Sequence, residues 1–247
     1  MLNIKVLEKK KTEIDRFRPF SFELQRSLDE WDCVELTYTS NAIEGNSLTR
    51  FETAQLIEKD LTGASKPLVD YLEAKNHAEA FEFLFHHENL SNFDITERQI
   101  LKIHQIILKG INEQIAGKYR NVPVRIRGSG TVFPNHVKVP SLMKEFIEWI
   151  NGSHNLHPID LAAEAHYKLV SIHPFVDGNG RTARLLMNFI LRKFNYPPAI
   201  ISLESKERYL SSLERAQING DMSSFFVNIY ESLNSSLENY LSVLKTQ

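Results

Sequence analysis

Apolar residues recur at intervals of three and four along most of the chain, the spacing of helices that bury one face. That pattern predicts an all-α fold. A helix is expected over about 21–44, with room for one break. Thr49-Arg50-Phe51-Glu52 reads as a capping box that opens a helix to about Leu61. A long amphipathic helix is expected from Leu68 to His87, with Leu72, Phe81, Leu84 and Phe85 inward and His86 and His87 as solvated cations at its negative end. Asp94-Ile95-Thr96-Glu97 opens another helix that ends near Gly110. Helices follow at Ser141–Ile150 and at Pro158–Ile172, the latter with proline in its first turn. A further helix runs from Gly180 to the stop at Pro197-Pro198, and two more lie near 204–219 and 221–244, parted at Asn219-Gly220. Residues 1–20 are charged and end near Pro19, so a loose arm or short helix is expected there.

One stretch breaks the helical period. Val124, Ile126 and Val132 alternate with polar residues around Gly128-Ser129-Gly130, which predicts a β-hairpin over about 117–139. The organisation expected is therefore an N-terminal helical region (1–90), a core (91–220) that carries the hairpin, and a C-terminal helix (221–247). No repeat or low-complexity tract interrupts it.

Composition narrows the classes. A chain of 247 residues buries a substantial core. Its net charge of −2 argues against nucleic acid as the main partner. The single cysteine, Cys33, excludes an internal disulfide framework and reads as a small buried hydrophobe. No run approaches the ~18 apolar residues of a membrane span. The opening Met1-Leu2-Asn3-Ile4-Lys5 lacks a signal peptide's apolar core, so a cytoplasmic protein is expected. Asn89-Leu90-Ser91 and Asn151-Gly152-Ser153 match the glycosylation acceptor pattern but carry no weight without a secretory signal.

The chemistry concentrates in residues 173 to 184, His-Pro-Phe-Val-Asp-Gly-Asn-Gly-Arg-Thr-Ala-Arg. Asp177, Gly178, Asn179 and Gly180 are turn residues that feed a helix N-terminus. Unpaired N–H groups and the helix dipole make such an end an anion cradle. Arg181 and Arg184, three apart on one helix face, suit a di- or triphosphate. Asp177 is placed to hold Mg²⁺ against that phosphate. His173 is able to take a proton from an attacking hydroxyl. Phosphotransfer or nucleotidyl transfer follows as the local reading. His166, seven residues before His173, reads as a buried, hydrogen-bonded helix residue rather than a metal ligand.

The same string resembles the Fic-domain pattern His-x-Phe-x-Asp-Gly-Asn-Gly-Arg-x-x-Arg, with every specified position filled. The resemblance implies a Fic-type helical domain with a hairpin flap over the active site. It implies transfer of AMP from ATP to a Ser, Thr or Tyr hydroxyl of a target protein. His173 would be the general base and Asp177 the Mg²⁺ ligand. Asn179 and Gly180 would belong to the anion hole around the α- and β-phosphates. Arg181 would grip the β-phosphate and Arg184 the γ-phosphate, while Phe175 would anchor the loop by packing. Removal of AMP, another nucleotide-type donor, and a non-catalytic nucleotide-binding module remain the alternatives.

Upstream, Ser40-Asn41-Ala42-Ile43-Glu44-Gly45-Asn46 resembles the inhibitory-helix motif of the same family, placing that element at about 34–46. Read by itself, Gly45 is a helix C′ residue. With the motif complete elsewhere, the resemblance implies that Glu44 docks on Arg184, neutralises the γ-phosphate clamp and leaves the α-phosphate misaligned. The hairpin would be the flap, with Thr131, Val132 and Phe133 pairing to an extended target segment by strand addition. A homodimer that buries the inhibitory face is left open.

Overall fold

The computed structural model describes residues 3–63, 65–85 and 94–246. The expectations at His86, His87 and the Asn89-Leu90-Ser91 pattern lie outside the described residues. Among those described there are ten α-helices: α1 (Ile4–Asp15), α2 (Phe22–Glu44), α3 (Arg50–Lys59), α4 (Leu68–Phe85), α5 (Glu97–Ile107), α6 (Val139–Gly152), α7 (Pro158–Ile172), α8 (Asn179–Lys193), α9 (Lys206–Asn219) and α10 (Ser223–Lys245). Among the described residues there is no strand, and no helix is long and apolar enough to cross a membrane.

The helix ends follow local chemistry. The expected capping box at Thr49 forms with Glu52, and a second one pairs Thr96 with Gln99. Helix α2 runs unbroken and ends at Gly45, whose φ of 104° suits glycine. There the Gly45 N–H donates to Ala42 and the Asn46 N–H to Asn41, satisfying the last carbonyls.

Helix α8 is the hub. Every residue from Arg181 to Leu191 is buried, so this helix is covered on all sides. It packs against α7 along its length and also meets α2, α4 and α5. The first residues form a docked helix rather than a loose arm. Leu7 and Ile14, seven apart on one face, are fully buried as α1 lies along α10. Lys10 reaches Asn234 at 2.6 Å and Lys245 pairs with Glu13 at 2.8 Å. Most buried apolar residues, from Leu7 to Leu244, form one continuous core, and Leu48, Leu56, Tyr71 and Ala74 form a smaller separate cluster. Cys33 is buried within the continuous core, and burial pushes its thiol pKa up to about 12.

The expected hairpin is corrected. Residues 121–135 are extended or turn-like, but they form no ladder. Helix α9 takes the hydrogen bonds instead. Glu214 accepts from the Ser129 hydroxyl and the Gly130 N–H, both at 2.8 Å, and Thr131 Oγ1 donates to Gln217 at 3.2 Å. A segment whose polar groups are satisfied by a neighbouring helix has no need of a paired strand.

Candidate active site

The turn between α7 and α8 carries the site. His173 is the C-cap of α7 with φ 51° and ψ 59°, a left-handed conformation that is uncommon outside glycine and that histidine tolerates better than most residues. Its N–H still closes the helix on Leu169 at 3.0 Å. The ring Nδ1 lies 3.2 Å from the Val170 carbonyl, so Nδ1 donates and Nε2 keeps its lone pair. Burial is the largest cause that lowers the His173 pKa, to about 4, so the ring is neutral near pH 7. The Phe133 ring stacks on it with centroids 4.0 Å apart.

Asn179 closes the turn from within. Its side-chain oxygen accepts from the Phe175 N–H at 3.0 Å and its amide donates to the Phe175 carbonyl at 2.9 Å. What Asn179 offers to an anion is therefore its backbone N–H. Gly178, at φ 74°, is the N-cap of α8, and no side chain caps this end. The first-turn N–H groups of α8 have no carbonyl partner within the helix, which makes this end a place for an anion. Arg181 is buried; it donates to Glu73 at 2.9 Å, while its Nε has no partner. Asp177 is the exposed member, with 63% of its side chain accessible, and lies 3.6 Å from Arg181.

The upstream motif meets this site. Arg184 donates through Nε to the Ser40 hydroxyl at 2.9 Å, through Nη2 to the Ser40 carbonyl at 2.9 Å, and through Nη2 to Glu44 at 2.7 Å. Burial acts to raise the Glu44 pKa, but the charge and hydrogen bond of Arg184 outweigh it and hold the carboxyl below its ordinary value. A carboxylate on the last turn of a helix opposes the dipole, so α2 does not gain from Glu44 locally; Arg184 provides the compensation. Gly180 makes room for this contact. A Cβ there would overlap the Glu44 carboxylate and come within 3.0 Å of Arg184 Nη1.

The structure adds residues that sequence reasoning missed. Arg120 donates through Nε to the His173 carbonyl (2.7 Å), through Nη1 to Val122 (3.1 Å) and through Nη2 to Pro134 (2.6 Å). Its backbone N–H donates to Pro174 at 2.9 Å. One guanidinium thus ties both ends of the 122–134 segment to the turn that carries His173. Glu73 pairs with Arg181 and also accepts from Asn46, just past the end of α2. His104 contacts the turn from α5. For Glu73 and His104 the only signal in the sequence is polar character within a helical period, and Arg120, which lies in no helix, carries none. His166 behaves as expected: it is fully buried and its Nε2 lies 2.9 Å from the Tyr209 hydroxyl. Thr131 is buried and Val132 exposed, beside a cavity of about 320 Å³ that Phe133, Pro134, Tyr167 and Gln217 also line.

Residues 94–191 match the model of the Fic/DOC family. The chain is 35% identical to the protein adenylyltransferase Fic of Drosophila sechellia over 206 residues, which is 83% of this chain and 41% of that protein. It is 33% identical to its counterpart in Drosophila persimilis over 237 residues, 95% of this chain and 46% of that protein. The chain thus spans less than half the length of these curated relatives. Among solved structures, it superposes on a Caenorhabditis elegans Fic-1 fragment with a TM-score of 0.84 at 28% identity, covering 98% of this chain and 72% of that one. A Fic domain-containing signaling protein from Bacteroides thetaiotaomicron gives 0.82 at 29% identity, covering 97% and 94%. With the filled 173–184 motif on the α7–α8 turn, these likenesses establish that the chain carries a Fic domain and belongs to the Fic/DOC family.

Proposed function

We propose that this chain is a protein adenylyltransferase held in an inhibited state by its own α2. The observation that carries the reading is the 2.7 Å contact of Glu44 with Arg184, made directly over the open N-terminus of α8. ATP lays its triphosphate on the first-turn N–H groups of α8, with Arg181 at the β-phosphate and Arg184 at the γ-phosphate. The neutral His173 takes the proton of a target hydroxyl through Nε2. The hydroxyl oxygen bonds to the α-phosphorus, the bond from that phosphorus to the bridging oxygen breaks, and pyrophosphate leaves. Donors fixed in place before reaction stabilise the charge that develops on the phosphate oxygens.

The donor set fits Mg²⁺. One exposed carboxylate, Asp177, stands beside the phosphate site, and Mg²⁺ is commonly held by one or two carboxylates together with substrate phosphates. Bound there, the ion would neutralise phosphate charge. Among the described residues no cluster of three or more His, Cys, Asp or Glu forms a metal site without substrate. The extended segment around Thr131, Val132 and Phe133 is the surface for the target backbone, presenting its hydroxyl next to His173. With Glu44 on Arg184, the γ-phosphate loses its clamp and the α-phosphate is not aligned.

The test is transfer of label from α-labelled ATP with Mg²⁺, to the protein itself and to a lysate, in wild type, Glu44→Gly and Glu44→Gly/His173→Ala. Strong label only in Glu44→Gly supports the reading. No label in any of the three overturns it. Label equal in wild type and Glu44→Gly overturns the inhibited state alone.

A further inference from the structure

His104 is fully buried on α5, and its two ring nitrogens face different main-chain groups. Nδ1 lies 2.9 Å from the Gly117 N–H, which can only donate. Nε2 lies 3.0 Å from the Asp177 carbonyl, which can only accept. One state of the ring satisfies both: neutral, with the proton on Nε2. Burial favours the same neutral form, lowering the pKa to about 4. The ring face lies parallel to Phe175, centroids 3.6 Å apart and 4° between planes. A Cβ on Gly178 would lie 3.4 Å from His104 Cδ2, so the ring also fits closely against that glycine.

The contact with Asp177 falls on a particular peptide unit. The Asp177 carbonyl and the Gly178 N–H belong to the same plane. His104 holds its oxygen, and its N–H donates to the carboxylate of Asp177 itself at 2.6 Å. Gly178 sits at φ 74°, where glycine tolerates either orientation of the preceding plane at little steric cost. Backbone sterics therefore leave the plane free to turn. Were it to turn over, the Gly178 N–H would leave the carboxylate and the exposed Asp177 side chain would lose its close hydrogen bond.

We infer that His104 is a positioning residue for the reaction: its Nε2–H fixes the Asp177–Gly178 peptide plane, and through it the direction in which Asp177 presents its carboxylate to the metal-bearing phosphates. The inference rests on the nucleotide-transfer reading of the site. His104 acts from 73 residues away in sequence and touches no substrate atom. Its second bond, to Gly117, joins the same support to the segment that leads into Arg120.

Two substitutions separate the bonds. In glutamine the amide nitrogen occupies the place of Nε2, so His104→Gln keeps the donor to Asp177. In asparagine the side-chain oxygen occupies the place of Nδ1, so His104→Asn keeps only the acceptor for Gly117. Both are made in the Glu44→Gly protein. Expected for His104→Asn are a kcat lower by about 10- to 100-fold, the range for loss of a group that orients a metal ligand, and a raised Mg²⁺ concentration for half-maximal transfer. His104→Gln stays within a few-fold of the parent on both measures. Two readouts do not need turnover. Multiple-bond ¹⁵N–¹H spectra of the wild-type imidazoles show His104 as the neutral Nε2–H tautomer. Calorimetry of ATP with and without Mg²⁺ shows the metal's enhancement of affinity kept in His104→Gln and lost in His104→Asn. Equal behaviour of the two variants, in rate or in Mg²⁺ response, overturns the inference, as does an Nδ1–H tautomer. If Glu44→Gly transfers no label, the transferase reading fails instead, and the spectra and calorimetry still decide the role of His104. Should His104→Asn not fold, the wild-type spectra and the Mg²⁺ response of His104→Gln remain decisive.

Discussion

Arg184 and Glu44, 140 residues apart in sequence, meet at 2.7 Å over the N-terminus of α8. The arginine is buried and the carboxylate is at the mouth, with 40% of its side chain accessible. A charge at the rim is able to move out without unfolding anything, whereas the buried guanidinium stays. Glu44→Gly is therefore expected to raise label transfer by at least about tenfold, on the scale of one charge-assisted hydrogen bond. Glu44→Gln, which keeps the size and removes the charge, is expected to fall between. Initial rates of transfer from α-labelled ATP check both.

Gly180→Ala tests the same contact from the opposite side. Its Cβ would overlap the Glu44 carboxylate, so Glu44 must withdraw from Arg184. The same methyl crowds Arg184. Alone, the variant is expected to gain transfer over wild type, but less than Glu44→Gly gains. Combined with Glu44→Gly it is expected to lose transfer relative to that parent. Comparing wild type, the two single variants and the double variant under one ATP concentration separates the two effects.

Arg120→Lys removes a fork that holds three carbonyls and leaves one ammonium. The His173 carbonyl and the 122–134 segment are then no longer held together. In the Glu44→Gly protein a fall in kcat of about a hundredfold is expected, the scale of a displacement of ~1 Å in a reacting group. The thermal midpoint checks that the fold persists.

The pH dependence of transfer should be flat through neutrality. His173 must be unprotonated to act as base, and its folded pKa lies near 4 rather than 6.5, chiefly because burial disfavours the cation. The value of kcat/KM for ATP, which reports the free enzyme, is expected to be constant from about pH 6 to 8 in Glu44→Gly. A protonation limb centred near pH 6.5 in that profile contradicts the assignment.

Stability should fall with acid earlier than carboxylates alone would dictate. His77 and His166 are fully buried, and burial, followed by the Arg184 charge, lowers both from 6.5 to about 3. As pH falls below 6.5 the unfolded chain takes up these two protons, while the folded chain refuses them until about pH 3. Stability therefore rises with pH across that window and is fully present above it. Each histidine contributes up to about 1.4 kcal/mol per pH unit inside it. Thermal midpoints measured from pH 4 to 8 check the slope, and His166→Gln is expected to flatten it.

Much of this protein is legible along the chain. The periods that place α2, α7, α8 and α10 are local, as are the capping box at Thr49 and the glycine stop at Gly45. Helix α7 has the boundaries its sequence predicts, because proline opens it and the motif turn closes it. The segment around Val124 and Ile126 reads as a hairpin because alternation shows an extended backbone but not its partner. Here the partners are Glu214 and Gln217 on α9, more than eighty residues away. The firm docking of α1 is hidden in the sequence because only two apolar positions, Leu7 and Ile14, are buried among many charges.

By itself the sequence determined the helical class, the ends of most helices and the chemical content of the 173–184 turn. These depend on residues within a few positions of one another, where hydrogen-bond spacing and backbone geometry impose a fixed register. Tertiary structure alone decided that Arg120 holds the His173 carbonyl and that His104 meets the Asp177–Gly178 peptide, and it forms the Glu44–Arg184 contact that the sequence implied only through a family resemblance. Those contacts join groups 53 to 140 residues apart. No spacing rule encodes them, because they exist only once burial of the shared core has set the helices against one another.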